Sequence, residues 1–313
     1  MNLRQMEVFR HVMQTGSIKG AAELLHISQP AVSKLLAGAE RRNALQLFAR
    51  VKNRLVPTPE AHRLYAEVQR LWVQVERVRD LSHELSNPSG GTLVVGVSAS
   101  LGATVVPTVV EELIRTTPQA VVRIEQLVPH LLVQTLLDGT TDIGVTMGVQ
   151  PHPSLELLSR YPCGLVCIMP SGHPLSSRRF VRAVDLRGQQ IISFPQSLSY
   201  GISPRDLYGE YADEIRASVE VRSGQAACWY CLAGAGIAVV DATAVAGSAF
   251  PGLVSLPYRC EVQLEARLMH HGERPLSRLA QRFCEIFSSA WPRVMGTTRA
   301  RSLSTPGARA PGN

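Results

Sequence analysis

The sequence predicts an α/β protein in three parts: a small helical head, a long linker helix and a larger two-lobed α/β body. Three observations carry this reading. Positive charge is concentrated at one end, an uninterrupted helical stripe follows it, and beyond residue 91 short apolar runs alternate with helical segments. At 313 residues the chain is long enough for at least two compact units. Hydrophobic residues at 45% and charged residues at 18% suffice for sizeable cores and exclude a disordered chain. No stretch approaches the roughly 18 apolar residues of a membrane span. The start, Met1 to Glu7, lacks a basic region followed by an apolar run, so a cytoplasmic protein without membrane association is expected. Six cysteines without framework spacing fit a reducing compartment.

The net charge of +7 is unevenly placed. Residues 1–58 hold nine basic side chains, including all three lysines, against Glu7, Glu23 and Glu40, which is +6. The other 255 residues carry 23 basic and 22 acidic groups. A basic head on a near-neutral body is the electrostatic footprint of a nucleic-acid-binding module.

Leu3, Met6, Phe9, Val12 and Met13 recur at helical spacing, and Gly16 suits the left-handed residue that ends a helix. Ser17 caps a second helix with Ile18, Ala21, Ala22 and Leu25 on one face; the paired alanines permit close approach. After His26-Ile27, Ser28 caps a third helix with Pro30 in its first turn, where the missing N–H costs nothing. Ala31, Val32, Leu35, Leu36 and Ala39 form its inward stripe, and Gln29, Ser33 and Lys34 stand on its other face. Two short helices joined by a tight turn describe a helix-turn-helix, whose second helix enters the major groove N-terminus first. Leu47–Arg50 and Leu55–Thr58 flank Val51–Arg54, a basic wing whose Arg50, Lys52 and Arg54 would hold phosphates rather than read bases. Ser28, Gln29, Pro30, Ser33, Lys34 and the three wing residues are therefore the expected contacts to double-stranded DNA.

The run Gly16-Ser17-Ile18, Ala21-Ala22, Leu24-Leu25, Ser28-Gln29-Pro30-Ala31-Val32-Ser33, then Glu40, Leu47-Phe48, Arg50 and Pro57-Thr58, resembles the N-terminal domain of LysR-type transcriptional regulators. The likeness extends to the layout of nearly the whole chain. It implies an N-terminal winged helix-turn-helix, a dimerising helix and a C-terminal effector domain shaped like a periplasmic binding protein. It also implies a transcription regulator working as a homodimer or homotetramer, with RNA polymerase as a further partner. Gly38, Ala39, Ala44 and Ala61 depart from the usual pattern. Leu45-Gln46-Leu47-Phe48 and Thr58-Pro59-Glu60-Ala61 resemble the subgroup that regulates opine and amino-acid catabolism.

Thr58 and Pro59 open the linker segment, 59–91 with its hinge. Ala61, Leu64, Val68, Leu71, Val75, Val78 and Leu85 recur at steps of three and four, widened by Tyr65, Trp72 and Leu81. About 27 residues at ~1.5 Å each make a helix near 40 Å long, more than one small head can cover, which predicts a partner helix. Asn87–Gly91 reads as the hinge.

In the body, 92–293, strands are expected at Thr92–Val97, Val121–Leu127 and Asp142–Val145, with a loop at 98–102 and helices to Arg115 and over Leu131–Asp138. This βαβαβ run predicts a parallel sheet. A second lobe, 162–264, begins with Gly164–Met169 and Ile191–Phe194 and continues through 204–212, Ala217–Val221, Gln225–Ala233 and Ile237–Val240. Leu264–His270 and Leu276–Ala290 return to the first lobe, 92–161 and 265–293; residues 294–313 read as a disordered tail. Crossings near Tyr161–Pro162 and Gln263–Glu265 put a cleft between the lobes. Ligands of open α/β sheets bind beyond the carboxyl ends of strands, where helix N-termini present free N–H groups. That rule selects Ser98, Ser100, His130, Thr146 and Met147 in the first lobe and Gln196, Ser197 and Ser223 in the second. Hydroxyls and N–H groups there suit a small carboxylate or amino-acid-like effector.

Cys228-Trp229-Tyr230-Cys231 has dithiol spacing, but without a second pair, inside an apolar helix, buried structural cysteine is the expectation. The chain has no Gly-x-Ser-x-Gly elbow and no phosphate-binding loop. No enzyme activity, no cofactor and no metal are expected.

Overall fold

The computed structural model describes residues 1–51, 54–86, 90–148, 152–195 and 202–301. Two compact units divide the chain, Met1–Ser82 and His83–Asn313.

In the first unit, α1 (Leu3–Thr15), α2 (Ile18–Leu25) and α3 (Gln29–Asn43) precede a hairpin of β1 (Phe48–Val51) and β2 (Arg54–Pro57) and the long α4 (Pro59–Ser86). Each boundary has a local cause. The Asn2 side chain accepts from the Gln5 amide at 2.9 Å while the Gln5 side chain accepts from the Asn2 amide at 3.0 Å, a reciprocal cap that opens α1. Gly16, at φ +66°, ends α1, and the Ser17 hydroxyl accepts from the Gly20 amide to open α2. Val8, Phe9, Val12, Ala21, Ala22, Val32 and Leu36 make the core, closed by Leu47 and Phe48 of the hairpin. Glycine inside a helix costs about 1 kcal/mol relative to alanine. At Gly38 a Cβ would lie 3.3 Å from the Gln5 side-chain nitrogen, a close contact that a shift of a few tenths of an ångström in that side chain relieves.

The linker stripe divides in two. Ala61, Val68 and Trp72 are buried within this unit, and the Arg10 guanidinium lies 4.7 Å from the Trp72 ring centroid. Leu71 and Val78 are 41% and 68% exposed. The expectation that the head cannot cover the stripe therefore holds at Leu71 and Val78 and fails at Ala61, Val68 and Trp72. Of the expected hinge, Asn87–Ser89 lie outside the described residues, and Gly90 and Gly91 belong to a strand.

The second unit opens with β3 (Gly90–Val97), α5 (Ala99–Ala103), α6 (Val105–Thr116), β4 (Gln119–Gln126), α7 (Pro129–Asp138), β5 (Ile143–Met147) and β6 (Leu155–Cys163). The chain crosses at Gly164 into β7 (Leu165–Pro170), β8 (Ile191–Ser193), α8 (Pro204–Tyr208), β9 (Ala217–Glu220), α9 (Gly224–Leu232), β10 (Ile237–Asp241) and β11 (Leu253–Pro257). It then returns through β12 (Leu264–His271) and α10 (Arg278–Arg301). The sheets run β4-β3-β5-β12-β6 and β11-β7-β10-β8-β9. β3 is parallel to β4 and β5, and β8 to β9 and β10; β12, β7 and β11 join antiparallel.

Four expectations are corrected. The segment 98–102 is largely helical rather than a loop. β6 and β11 were not foreseen; both are sheet edges, where one-sided burial and a proline in each (Pro162, Pro257) blur the apolar signal. β6 also runs on to Cys163, beyond the crossing expected near Tyr161–Pro162. The last helix extends past Ala290 and Pro292 to Arg301, so 294–301 of the expected tail is helical.

α10 continues because one of its faces is anchored. Phe283, Phe287 and Trp291, spaced four apart, are buried on the first lobe, with the Phe287 and Trp291 rings 6.0 Å apart and Tyr161 5.2 Å from Phe287. Replacing Phe287 by alanine should cost about 3–5 kcal/mol through lost burial and the cavity left behind. The calorimetric transition of the second unit should then fall by roughly 6–20 °C; a shift of about 1 °C would show that α10 does not close this core.

Candidate functional site

The first candidate surface is the N-terminal turn of α3. Ser28 caps it, its hydroxyl accepting from the Ala31 amide at 3.4 Å, and Pro30 occupies the first turn. Ser28, Gln29, Pro30, Ser33 and Lys34 are all exposed, whereas Val32, Leu36 and Ala39 face inward. One helix face thus carries the fold and the other presents an amide, a hydroxyl and an ammonium, groups that can reach base edges and phosphates. Glu40 locks this helix to the hairpin: its Oε1 accepts from the amides of Leu47 at 2.8 Å and Phe48 at 3.1 Å. The Thr58 hydroxyl donates to the Gln46 carbonyl at 2.9 Å and accepts from the Ala61 amide at 3.2 Å, fixing the start of α4. Arg50 is exposed on β1 and Arg54 begins β2, paired with Val51. Lys52 lies outside the described residues.

The second candidate is the meeting of the two lobes, and here the predicted residues separate. Ser98 follows β3, is 3% exposed, and its hydroxyl has no hydrogen-bond partner. Ser100 is fully buried, and its hydroxyl donates to Asp241 Oδ2 at 2.9 Å, across the lobe boundary. The expectation that this hydroxyl is open to an effector is corrected: it is committed to a carboxylate. Thr146 and Met147 are also buried, since β5 continues two residues beyond its expected end. The Thr146 hydroxyl donates to the Met147 carbonyl and Met147 joins the core. His130 is exposed at the start of α7. Ser223 caps α9, accepting from the Ala226 amide at 3.1 Å. Gln196 and Ser197 lie outside the described residues.

Two groups were missed. Asp241 ends β10, where the strand-end rule would have found it had it been applied to that strand. Its carboxylate accepts from Ser100, from the Thr243 hydroxyl and from the amides of Thr243 and Ala244. Burial raises its pKa above the ordinary carboxylate range, and these donors oppose that rise. Gln225, in the first turn of α9, has a buried side-chain nitrogen without a partner; nothing in its sequence context distinguishes it. Gly224 beside it is required by space. A Cβ there would lie 2.7 Å from Ala244 Cβ and 3.0 Å from Ser100 Oγ.

Cys228 and Cys231 are buried, and burial pushes both thiols up to about 12, so they are protonated at neutral pH and poor nucleophiles. Among the described residues no group of three His, Cys, Asp or Glu is placed to hold a metal ion, and no helix is long and apolar enough to cross a membrane.

Comparison with known proteins matches both units to one family. Residues 3–62 match the bacterial regulatory helix-turn-helix protein, lysR family, and residues 86–292 match the LysR substrate binding domain. The chain is 31% identical to the transcriptional activator protein LysR of Escherichia coli over 295 residues, covering 94% of this chain and 95% of that one. It is 30% identical to the octopine catabolism/uptake operon regulatory protein OccR of Rhizobium meliloti over 244 residues, 78% and 81% of the two chains. The fold matches that of full-length CbnR in complex with its target DNA, with a TM-score of 0.72 and 21% identity over 93% of this chain and all of that one. With a DNA-binding head and an effector-binding body each matched along its length, the chain belongs to the LysR family of transcription regulators.

Proposed function

We propose that this regulator senses a small carboxylate or amino-acid-like metabolite between the lobes of its body and converts that binding into altered operator occupancy. The observation that carries the reading is the division of labour on α3. Ser28, Gln29, Pro30, Ser33, Lys34 and Arg50 are exposed on a unit of net charge +6, and Val32, Leu36 and Ala39 hold the helix in place. Gln29 and Ser33 read bases, while Lys34, Arg50, Lys52 and Arg54 hold phosphates.

The exposed Leu71 and Val78 of α4 favour pairing with the same helix of a second copy. A homodimer or homotetramer presents paired recognition helices to a two-fold operator, and RNA polymerase is the partner through which such a regulator acts. The effector must bind one arrangement of the assembly more tightly than the other, or it shifts nothing. Ser98 and Ser223, with His130, Gln196 and Ser197, are the proposed effector contacts, and Gln225 joins them because its buried donor lacks a partner. Ser100 serves by holding Asp241. The kinship with OccR and with the regulatory protein NocR of Agrobacterium, 31% identical over 189 residues, favours a role near opine or amino-acid catabolism. The action is non-enzymatic and cytoplasmic.

Two variants test the head. Gln29→Ala should lose about 1–3 kcal/mol of discrimination at one operator position, read as relative affinities for cognate and singly changed duplexes. Unchanged discrimination at every position would remove Gln29 from base reading. Arg50→Ala should instead weaken all duplexes alike and reduce the slope of log K against log salt by about one unit. Equal slopes for the variant and the parent would take Arg50 off the phosphates.

A further inference from the structure

The two lobes of the body are joined by little backbone. The chain leaves the first lobe at Gly164, where a Cβ would meet nothing within 4 Å, and comes back into β12, whose Leu264 pairs with Cys163 beside that crossing. Two adjacent strands with open space at the crossing make a hinge, and a hinge alone does not set the angle between the lobes. Contacts across the cleft must set it.

One such contact centres on the end of β10. The Ala242 amide donates to the Gly164 carbonyl at 2.9 Å, the Ala242 side chain is buried in the core of the first lobe, and the turn Ala242–Ser248 packs against α10. Asp241, one residue earlier, is 5% exposed. Three of its donors, the Thr243 hydroxyl and the amides of Thr243 and Ala244, belong to its own lobe. The fourth, the Ser100 hydroxyl at 2.9 Å, comes from the other. A buried carboxylate deprived of one donor must recover it from water, and water reaches this site only if the lobes part. The same contact leaves no room at Gly224, where a Cβ would lie 3.0 Å from Ser100 Oγ and 3.6 Å from Asp241 Oδ2. Ser98, with its unpartnered hydroxyl, stands just before α5, and Gln225, with its unpartnered nitrogen, follows Gly224. These two unsatisfied groups therefore sit on the two walls that the contact brings together.

We propose that Asp241 is a positioning residue for the cleft: its bond with Ser100 latches the lobes and holds the walls bearing Ser98 and Gln225 at one spacing before any effector binds. An effector then enters a cleft already at its working width. The part played in sensing rests on the reading of the cleft as the effector site. The latch itself is tested without a ligand.

The experiment measures the distance between the lobes in the full chain. Cys260→Ser and Cys284→Ser remove the two cysteines that are not buried, and Arg115→Cys and Arg216→Cys carry spin labels at exposed positions, one on each lobe. Dilution with unlabelled chain restricts the reading to distances within one chain. This parent should give one narrow distance distribution. Ser100→Ala should broaden or lengthen it and speed amide exchange in α5 and the first turn of α9 about tenfold or more, while β5, β8 and β12 keep their protection. Gly224→Ala, which wedges the same contact, should do the same. A broad distribution in the parent, or an unchanged one in either folded variant, would overturn the proposal. Faster exchange in β5, β8 and β12 as well, or loss of fold in both variants, would make the contact a general stabiliser and overturn it too. Each of these failures leaves the effector reading of the cleft standing.

Discussion

A carboxylate removed from water must be surrounded by donors, and around Asp241 those donors come from both lobes. Ser100 reaches it from the first lobe, Thr243 and Ala244 from the turn after β10. The consequences spread outward. α5 must bring its serine up to β10, so the segment after β3 is helical rather than loose. Position 224 must lack a side chain, because α9 starts against both Ser100 and Ala244. Removing one donor from such a cluster leaves a buried acceptor short, which is more damaging than the modest net worth of a hydrogen bond would suggest.

The head obeys a different economy. Its core is small, so the capping bonds and the Glu40 and Thr58 contacts carry much of its definition. By tying α3 to the hairpin through backbone amides, Glu40 fixes the angle between a helix that can enter a groove and a wing that can follow the phosphates. None of the α3 side chains assigned to DNA holds the core together, so evolution could vary recognition without rebuilding the fold. Ala61 and Val68 of α4 complete that core, and Leu71 and Val78 are left facing solvent.

The head was legible because its rules are local. Gly16, Ser17, Ser28 and Pro30 each act within a few residues of where they stand, and the structure uses each in the way its chemistry suggests. The inner strands β3, β5, β8 and β10 were legible because burial on both faces makes short apolar runs. What escaped was set at long range. Ser100 and Asp241 are 141 positions apart, and no local pattern announces that one will consume the hydroxyl of the other. β6 and β11 escaped because each is an edge strand that carries a proline, Pro162 and Pro257, and Thr146 and Met147 were misjudged by a strand end only two residues in error. α10 ran past Pro292 because an aromatic face packed on the lobe outweighs one missing helix hydrogen bond.

The central claim is that the exposed face of α3, presented in pairs, reads a two-fold operator. Selection of duplexes by the full chain from a random pool at physiological salt addresses it directly. Enriched sequences should converge on two inverted half-sites whose centres are separated by about one helical turn or a multiple of it, ~10 base pairs. Enrichment of a single unpaired half-site, or none above the starting pool, would contradict the account.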